Sequence, residues 1–286
     1  MILIDILRCI KMSKNNGEDV LLKYVPDLKN PKKILILYVT EILFFIFVMA
    51  IYWWVSSKIW YGAILIQTIV SSSLSTYYIL LANNTEKIRK KYLEKYQDLA
   101  GQKLWYHSQA YLLPIITSAY YIPLVLYNYN FLPLIVKVPN HFITKSLLPF
   151  YISISLGLFV VMFGYLLKRH SQEYYGVDVD NYLYMIYPEK SSLIQEGMYK
   201  YIRNPQYISR GIMSFGFGII ANNISAMLVG LIHLVSYIAI IPAEDKELER
   251  RFGDSFIKYK KEVPAIFPKF GNWIGFLKKV FVNQNN

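Results

Sequence analysis

The stretch Gly197-Met-Tyr-Lys-Tyr-Ile-Arg-Asn-Pro-Gln-Tyr207, together with its continuation to residue 264, decides how this chain is read. Two apolar segments come next, about 206–221 and 224–243. The stretch closes with Glu244-Asp-Lys-Glu-Leu248, Arg251-Phe-Gly-Asp254, Tyr259 and Pro264. Pro205 fixes φ and lacks an N–H, which suits the first turn of a helix. Asn222-Asn223 interrupts the apolarity as a turn between two helices does. At about 1.5 Å per residue each arm is roughly 24–30 Å long, close to the thickness of a hydrocarbon core. An antiparallel hairpin of that size carries Arg203, Asn204 and Tyr207 back beside Glu244 and Asp245. A cation and two anions then meet at one membrane surface, where ionisable groups point to function. The plainer alternative is that Arg203 and Glu244 only solvate the hairpin mouth.

On either side of this stretch, the chain has the composition of a membrane protein. Of 286 residues, 55% are hydrophobic and 17% charged, with the charge gathered between long apolar runs. That pattern predicts an all-α, polytopic membrane protein with four full spans at about 34–56, 59–83, 108–130 and 147–168, then the hairpin and an amphipathic cytoplasmic tail lying on the membrane. The Glu86–Gln97 segment reads as an exposed helix. Glu41, inside the first span, is expected to face protein or a polar cavity, because a lipid-facing carboxylate is costly. Pro114 and Pro123 suggest kinks in the third span.

Charge and cysteine content exclude other classes. The net charge of +12 sits in alternate loops, the pattern of membrane topology and not of nucleic-acid binding. Outside the spans, 27 of the 31 Lys and Arg fall on one side and three, Lys58, Lys137 and Lys145, on the other. That bias predicts cytoplasmic N- and C-termini and a cytoplasmic hairpin mouth. Cys9 is the only cysteine, so no intrachain disulfide is available. His107 has no companions at metal-ligand spacing, and no metal site is expected. The N-terminal run contains Asp5 and Arg8 and reads as an interfacial helix, not as a cleaved leader. One membrane domain is expected over 1–286, with N-terminal spans over 1–168 and a core over 169–270.

The motif Gly197-x-Tyr199-x-x-x-Arg203-Asn204-Pro205-x-Tyr207, followed by Glu244-Asp245-x-x-Leu248-x-x-x-Phe252-Gly253-x-x-Phe256-x-x-Tyr259-x-x-x-Val263-Pro264, resembles the isoprenylcysteine carboxyl methyltransferase and phospholipid methyltransferase superfamily of integral membrane enzymes. The resemblance implies S-adenosylmethionine as cofactor and a lipophilic acceptor: an isoprenylcysteine carboxylate, an isoprenoid or a phospholipid. It further implies that Leu193 and Ile194 contribute backbone to the cofactor pocket and that Gly197 and Tyr199 line it. Asn204, Pro205, Gln206 and Tyr207 would form its floor, and Glu244 would bind the cofactor. The catalytic set so implied is Arg203, Asn204 and Glu244, with Arg203 meeting a carboxylate or orienting the acceptor. Carboxylates and aromatic faces suit the cations of such a cofactor, and a helix N-terminus and an arginine suit its anion. Methyl transfer from a sulfonium needs proximity and exclusion of water, not a nucleophilic side chain.

This chain departs from the family pattern. The family's histidine is Asn204, which hydrogen-bonds but does not titrate near neutral pH. Ile240 stands where the eukaryotic prenylcysteine enzymes have an arginine, four residues before the first glutamate. Val263-Pro-Ala-Ile-Phe-Pro268 is also similar to the ending of NADPH-dependent sterol reductases. The alternatives are therefore a reductase, or a non-catalytic member of the fold.

Overall fold

The computed structural model describes residues 25–59, 61–108, 120, 121, 124, 125, 146–174 and 183–282. They form nine α-helices joined by short 3₁₀ turns, with no strand among the described residues. The helices are α1 (Pro31–Lys58), α2 (Gly62–Asn83), α3 (Thr85–Tyr96), α4 (Ala100–Ser108), α5 (Phe150–Gln172), α6 (Pro205–Ala221), α7 (Ile224–Phe252), α8 (Asp254–Glu262) and α9 (Trp273–Val282). The all-α expectation is met. Stretches long and apolar enough to cross a membrane lie at Pro31–Ser56, Gly62–Asn83, Phe150–Gln172 and Ile224–Phe252, and the chain is an integral, multi-pass membrane protein. The first, second and fourth expected spans are therefore observed. The third, about 108–130, lies outside the described residues apart from a few positions, as do 1–24 and Pro114 and Pro123.

The chain divides into two compact units. The first comprises Met1–Leu43, Asn84–Leu112 and Tyr175–Leu193; the second Phe44–Asn83, Leu113–Tyr174 and Ile194–Asn286. In the first unit Leu104, Trp105, Met185 and Ile186 are buried. Asp27 is held by Lys33 and by the hydroxyl of Tyr106 at 3.2 Å. Arg89 donates to the Ile186 carbonyl at 3.2 Å. Glu41 is partly buried in α1, and its Oε1 has no partner among the described residues.

In the second unit α6 packs against both α5 and α7, and α7 packs against α2. Small residues let these backbones meet, the usual device where lipid offers no hydrophobic drive between helices. A Cβ on Gly164 of α5 would lie 2.9 Å from the Ser209 carbonyl of α6, and one on Gly218 of α6 would lie 2.7 Å from the Ala226 carbonyl of α7. The turn between the arms is built by its two asparagines. Asn222 adopts φ 57°, ψ 36°, the left-handed region that asparagine tolerates. Asn223 caps α7, its side chain accepting from the Ala226 amide at 2.8 Å. The second arm is longer than its apolar run. It continues unbroken through Pro242 and the charged residues 244–251, good helix formers supported by the i,i+4 pair of Arg251 with Glu247 at 3.1 Å. In the tail, α9 turns Phe276 and Val280 into a core with Leu167, Met198, Ile202 and Ile208.

Candidate functional site

The hairpin brings its two polar flanks together as its length dictates. Glu244 and Asp245 are neighbours on α7, but successive helical residues point about 100° apart, so the two acids serve different partners.

Asp245 faces Arg203. The guanidinium donates Nη2 to Asp245 Oδ2 at 2.8 Å, with the two side chains only 8% and 9% exposed. Its Nη1 donates to the carbonyls of Lys260 and Val263. Those carbonyls end α8, where a helix presents unpaired acceptors and partial negative charge, so the arginine caps it. Lys260 Nζ joins from the other side, 3.3 Å from Asp245 and 2.7 Å from Glu249. Donation to Glu249, with Asp245 adding to it, holds the Lys260 ammonium above the ordinary lysine range. The backbone runs along the same line: Arg203 N–H donates to Pro264 at 2.9 Å and Asn204 N–H to Ala265 at 3.2 Å. Asn204 Nδ2 also donates to Ala265, and the Tyr259 hydroxyl donates to the Tyr199 carbonyl at 2.6 Å. Residues 199–204 are thus clamped onto 259–265.

Glu244 faces Tyr207, whose hydroxyl donates to Glu244 Oε1. The Tyr207 ring stacks on Tyr237 at 5.5 Å and 21°, and Tyr237 lies 5.0 Å from His233. Tyr207, Gly211 and Ser214 form one stripe of α6 facing α7, shown by Leu234 against Gly211 and His233 Nδ1 2.8 Å from Ser214 Oγ.

Gln206 differs from both groups. Its side chain is buried, 5% exposed, and neither amide atom has a hydrogen-bond partner among the described residues. A buried, unpaired carboxamide costs free energy. By its spacing it continues the α6 stripe of Ser209 and Met213, which lies against Gly164 of α5.

Of the other expected residues, Leu193 belongs to the first unit; Ile194 and the rest belong to the second. Gly197 has φ +60°, and a Cβ there would fall 2.1 Å from the Tyr174 ring, so both the backbone and the packing require glycine. Tyr199 is buried beside it, and Pro205 opens α6. The structure brings Tyr207 and Glu244 together, but engages Arg203 and Asn204 in the clamp. Sequence reasoning missed Lys260, Tyr237, His233 and Ser214. The signal for Tyr237 and His233 was there: positions 233, 237 and 244 recur on one face of α7, polar within an apolar arm. Among the described residues, no group of three or more His, Cys, Asp or Glu side chains is arranged to hold a metal.

Comparison with known proteins places the same part of the chain among methyltransferase sequences. Residues 152–255 match the phospholipid methyltransferase family model. The chain is 32% identical over 77 residues to protein-S-isoprenylcysteine O-methyltransferase of Schizosaccharomyces pombe, covering 27% of this chain and 33% of the relative. It is 30% identical over 118 residues to the Xenopus laevis protein of that name, covering 40% of each. It is 26% identical over 115 residues to protein-S-isoprenylcysteine O-methyltransferase B of Arabidopsis thaliana, covering 40% of this chain and 58% of the relative. The matches thus span between a third and three-fifths of these relatives' lengths. No solved structure matches. The superfamily read from the 197–264 motif is borne out.

Proposed function

We propose that this chain, which carries a phospholipid methyltransferase core over residues 152–255, is a membrane-embedded methyltransferase that takes S-adenosylmethionine and a lipophilic acceptor. The observation that carries the reading is the Glu244 carboxylate, held by the Tyr207 hydroxyl at the mouth of the hairpin. A carboxylate beside stacked tyrosine rings favours a cationic ligand. The unpaired Gln206 amide supplies a buried donor and acceptor for a polar one. The residues fit a donor with cationic and hydrogen-bonding groups.

In this reading Glu244 and Tyr207 bind the donor's cationic and hydroxyl groups, and Gln206 bonds one of its polar edges. The donor supplies a methyl group on a sulfonium that is already a good leaving group. The protein's part is to hold the two reactants in line and keep water out. Arg203 positions the site: by clamping 199–204 to 259–265 it fixes the start of α6 and so the place of Gln206 and Tyr207. The core at 169–270 binds the donor, and the spans before it supply the acceptor's path. The excess of Lys and Arg on one side supports a mouth and both termini on the cytoplasmic face, where a water-soluble donor is available.

The relatives are named for an isoprenylcysteine acceptor, and we assign an acceptor of that lipophilic kind. Ile240, 1% exposed, presents an apolar side chain where the prenylcysteine enzymes have an arginine. That favours an acceptor whose reacting group needs no arginine partner at this position.

Calorimetric titration of the detergent-purified protein with S-adenosylhomocysteine, beside NADPH, tests the reading. Saturable binding of the first alone is expected. Glu244→Gln should weaken it by roughly 10- to 100-fold, the range for a hydrogen bond to a charged group. Binding of NADPH alone would overturn the methyltransferase reading in favour of a reductase, and an unchanged affinity in the variant would remove Glu244 from the site.

A further inference from the structure

One ionisable side chain lies deep in the bundle and belongs neither to the clamp nor to the Glu244 pair. His233 precedes Glu244 on α7 by three helical turns, about 16 Å along the axis. It is 2% exposed, inside an apolar arm where an ionisable group is costly. Its Nδ1 is 2.8 Å from Ser214 Oγ on α6, and that oxygen is 3.2 Å from the Tyr121 hydroxyl. Its Nε2 has no partner among the described residues.

An apolar side chain would fill this space without the desolvation cost. What a histidine adds is direction. The terminal torsion of an aromatic side chain is broad and roughly two-fold. A hydrogen bond from one ring nitrogen to a facing helix sets it. The His233 ring is the surface on which Tyr237 rests, 5.0 Å away at 31°. Tyr237 is in turn the surface on which Tyr207 stacks, at 5.5 Å and 21°. Tyr207 ends the series by donating to Glu244.

We propose that His233 is a positioning residue: locked to Ser214 through Nδ1, it fixes the Tyr237 ring, which fixes Tyr207 and so orients the Glu244 carboxylate. The proposal rests on the reading of Glu244 as a donor-binding group.

A double-mutant cycle on the full-length protein in detergent tests it. His233→Phe keeps a ring and loses the bond to Ser214. Tyr207→Phe keeps the stack and loses the hydroxyl at Glu244. S-adenosylhomocysteine affinity and the melting temperature are read on the same samples. Each single variant should bind roughly tenfold more weakly, and the double variant no more weakly than the weaker single, since both act through one contact. Ser214→Ala should match His233→Phe. A purely structural histidine would shift the melting temperature without this coupling in affinity. Multiplied affinity losses, or an unchanged affinity in His233→Phe beside a binding wild type, would overturn the inference alone. A wild type that binds no S-adenosylhomocysteine would overturn it together with the donor site.

Discussion

The two ends of the α6–α7 hairpin are both polar and carry different kinds of polarity. At the turn, Asn222 puts its side chain entirely to backbone use. Its Oδ1 accepts from the amides of Leu147 and Leu148 at 3.2 and 3.0 Å, and its Nδ2 donates to the Leu148 carbonyl at 2.9 Å. That end docks the start of α5, helped by Ser153, which donates to Ile219 at 2.6 Å. At the mouth, side chains bond to side chains, and Gln206 is buried with its amide unused among the described residues. A polar group satisfied by backbone acts in the fold. One left unsatisfied in a buried place keeps donor and acceptor capacity for a ligand. The Arg203 clamp lies between the two cases: it is at the mouth but behaves like the turn.

Three substitutions test this contrast. The largest effect belongs to Arg203→Met. It leaves Asp245 buried with only Lys260 as a charged partner and uncaps α8, and should cost about 3–5 kcal/mol by chemical denaturation in detergent. A loss below about 1 kcal/mol would show that the arginine is not needed for the fold. Asn222→Ala comes next. It loses three hydrogen bonds and a left-handed residue suited to its place, and should cost about 2–3 kcal/mol with S-adenosylhomocysteine affinity within about twofold of wild type. A parallel fall in affinity would mean that the two ends are not separable. The third and mildest change is a gain. Gln206→Met removes an unpaired buried amide and should raise stability by about 1 kcal/mol while weakening the ligand. A gain with no loss of affinity would remove Gln206 from the site.

The hairpin is legible in the sequence because it is written locally. Pro205 marks the start of one arm and Asn222-Asn223 the end, and the apolar runs between them match a membrane's thickness. The meeting of 203–207 with 244–245 comes from arm length alone. The end of the second arm is not legible at Ala243, because hydropathy changes there and helix propensity does not. The role of Arg203 is hidden for a related reason. Its partners, Asp245 and the carbonyls of Lys260 and Val263, lie 42 or more positions away. A sequence shows that an arginine is near the mouth, not which acceptors it reaches first. The spacing of 233, 237 and 244 marks His233 as polar on one face of α7, but its pairing with Ser214 is hidden, because that partner lies on the facing helix and no spacing within one helix reveals it.

The unbroken course of α7 has a mechanical consequence. At about 1.5 Å per residue its 29 residues measure roughly 43 Å, against about 30 Å of hydrocarbon. One rod therefore stands in two solvents, with Glu244 near the boundary between them. Bilayer thickness becomes a variable of the site. In lipids thicker by one helical turn, about 5 Å, the glutamate either sinks into hydrocarbon or the rod tilts to hold it out. Under the proposed function, lipid chain length thereby sets the level at which a water-borne donor and a lipid-borne acceptor meet.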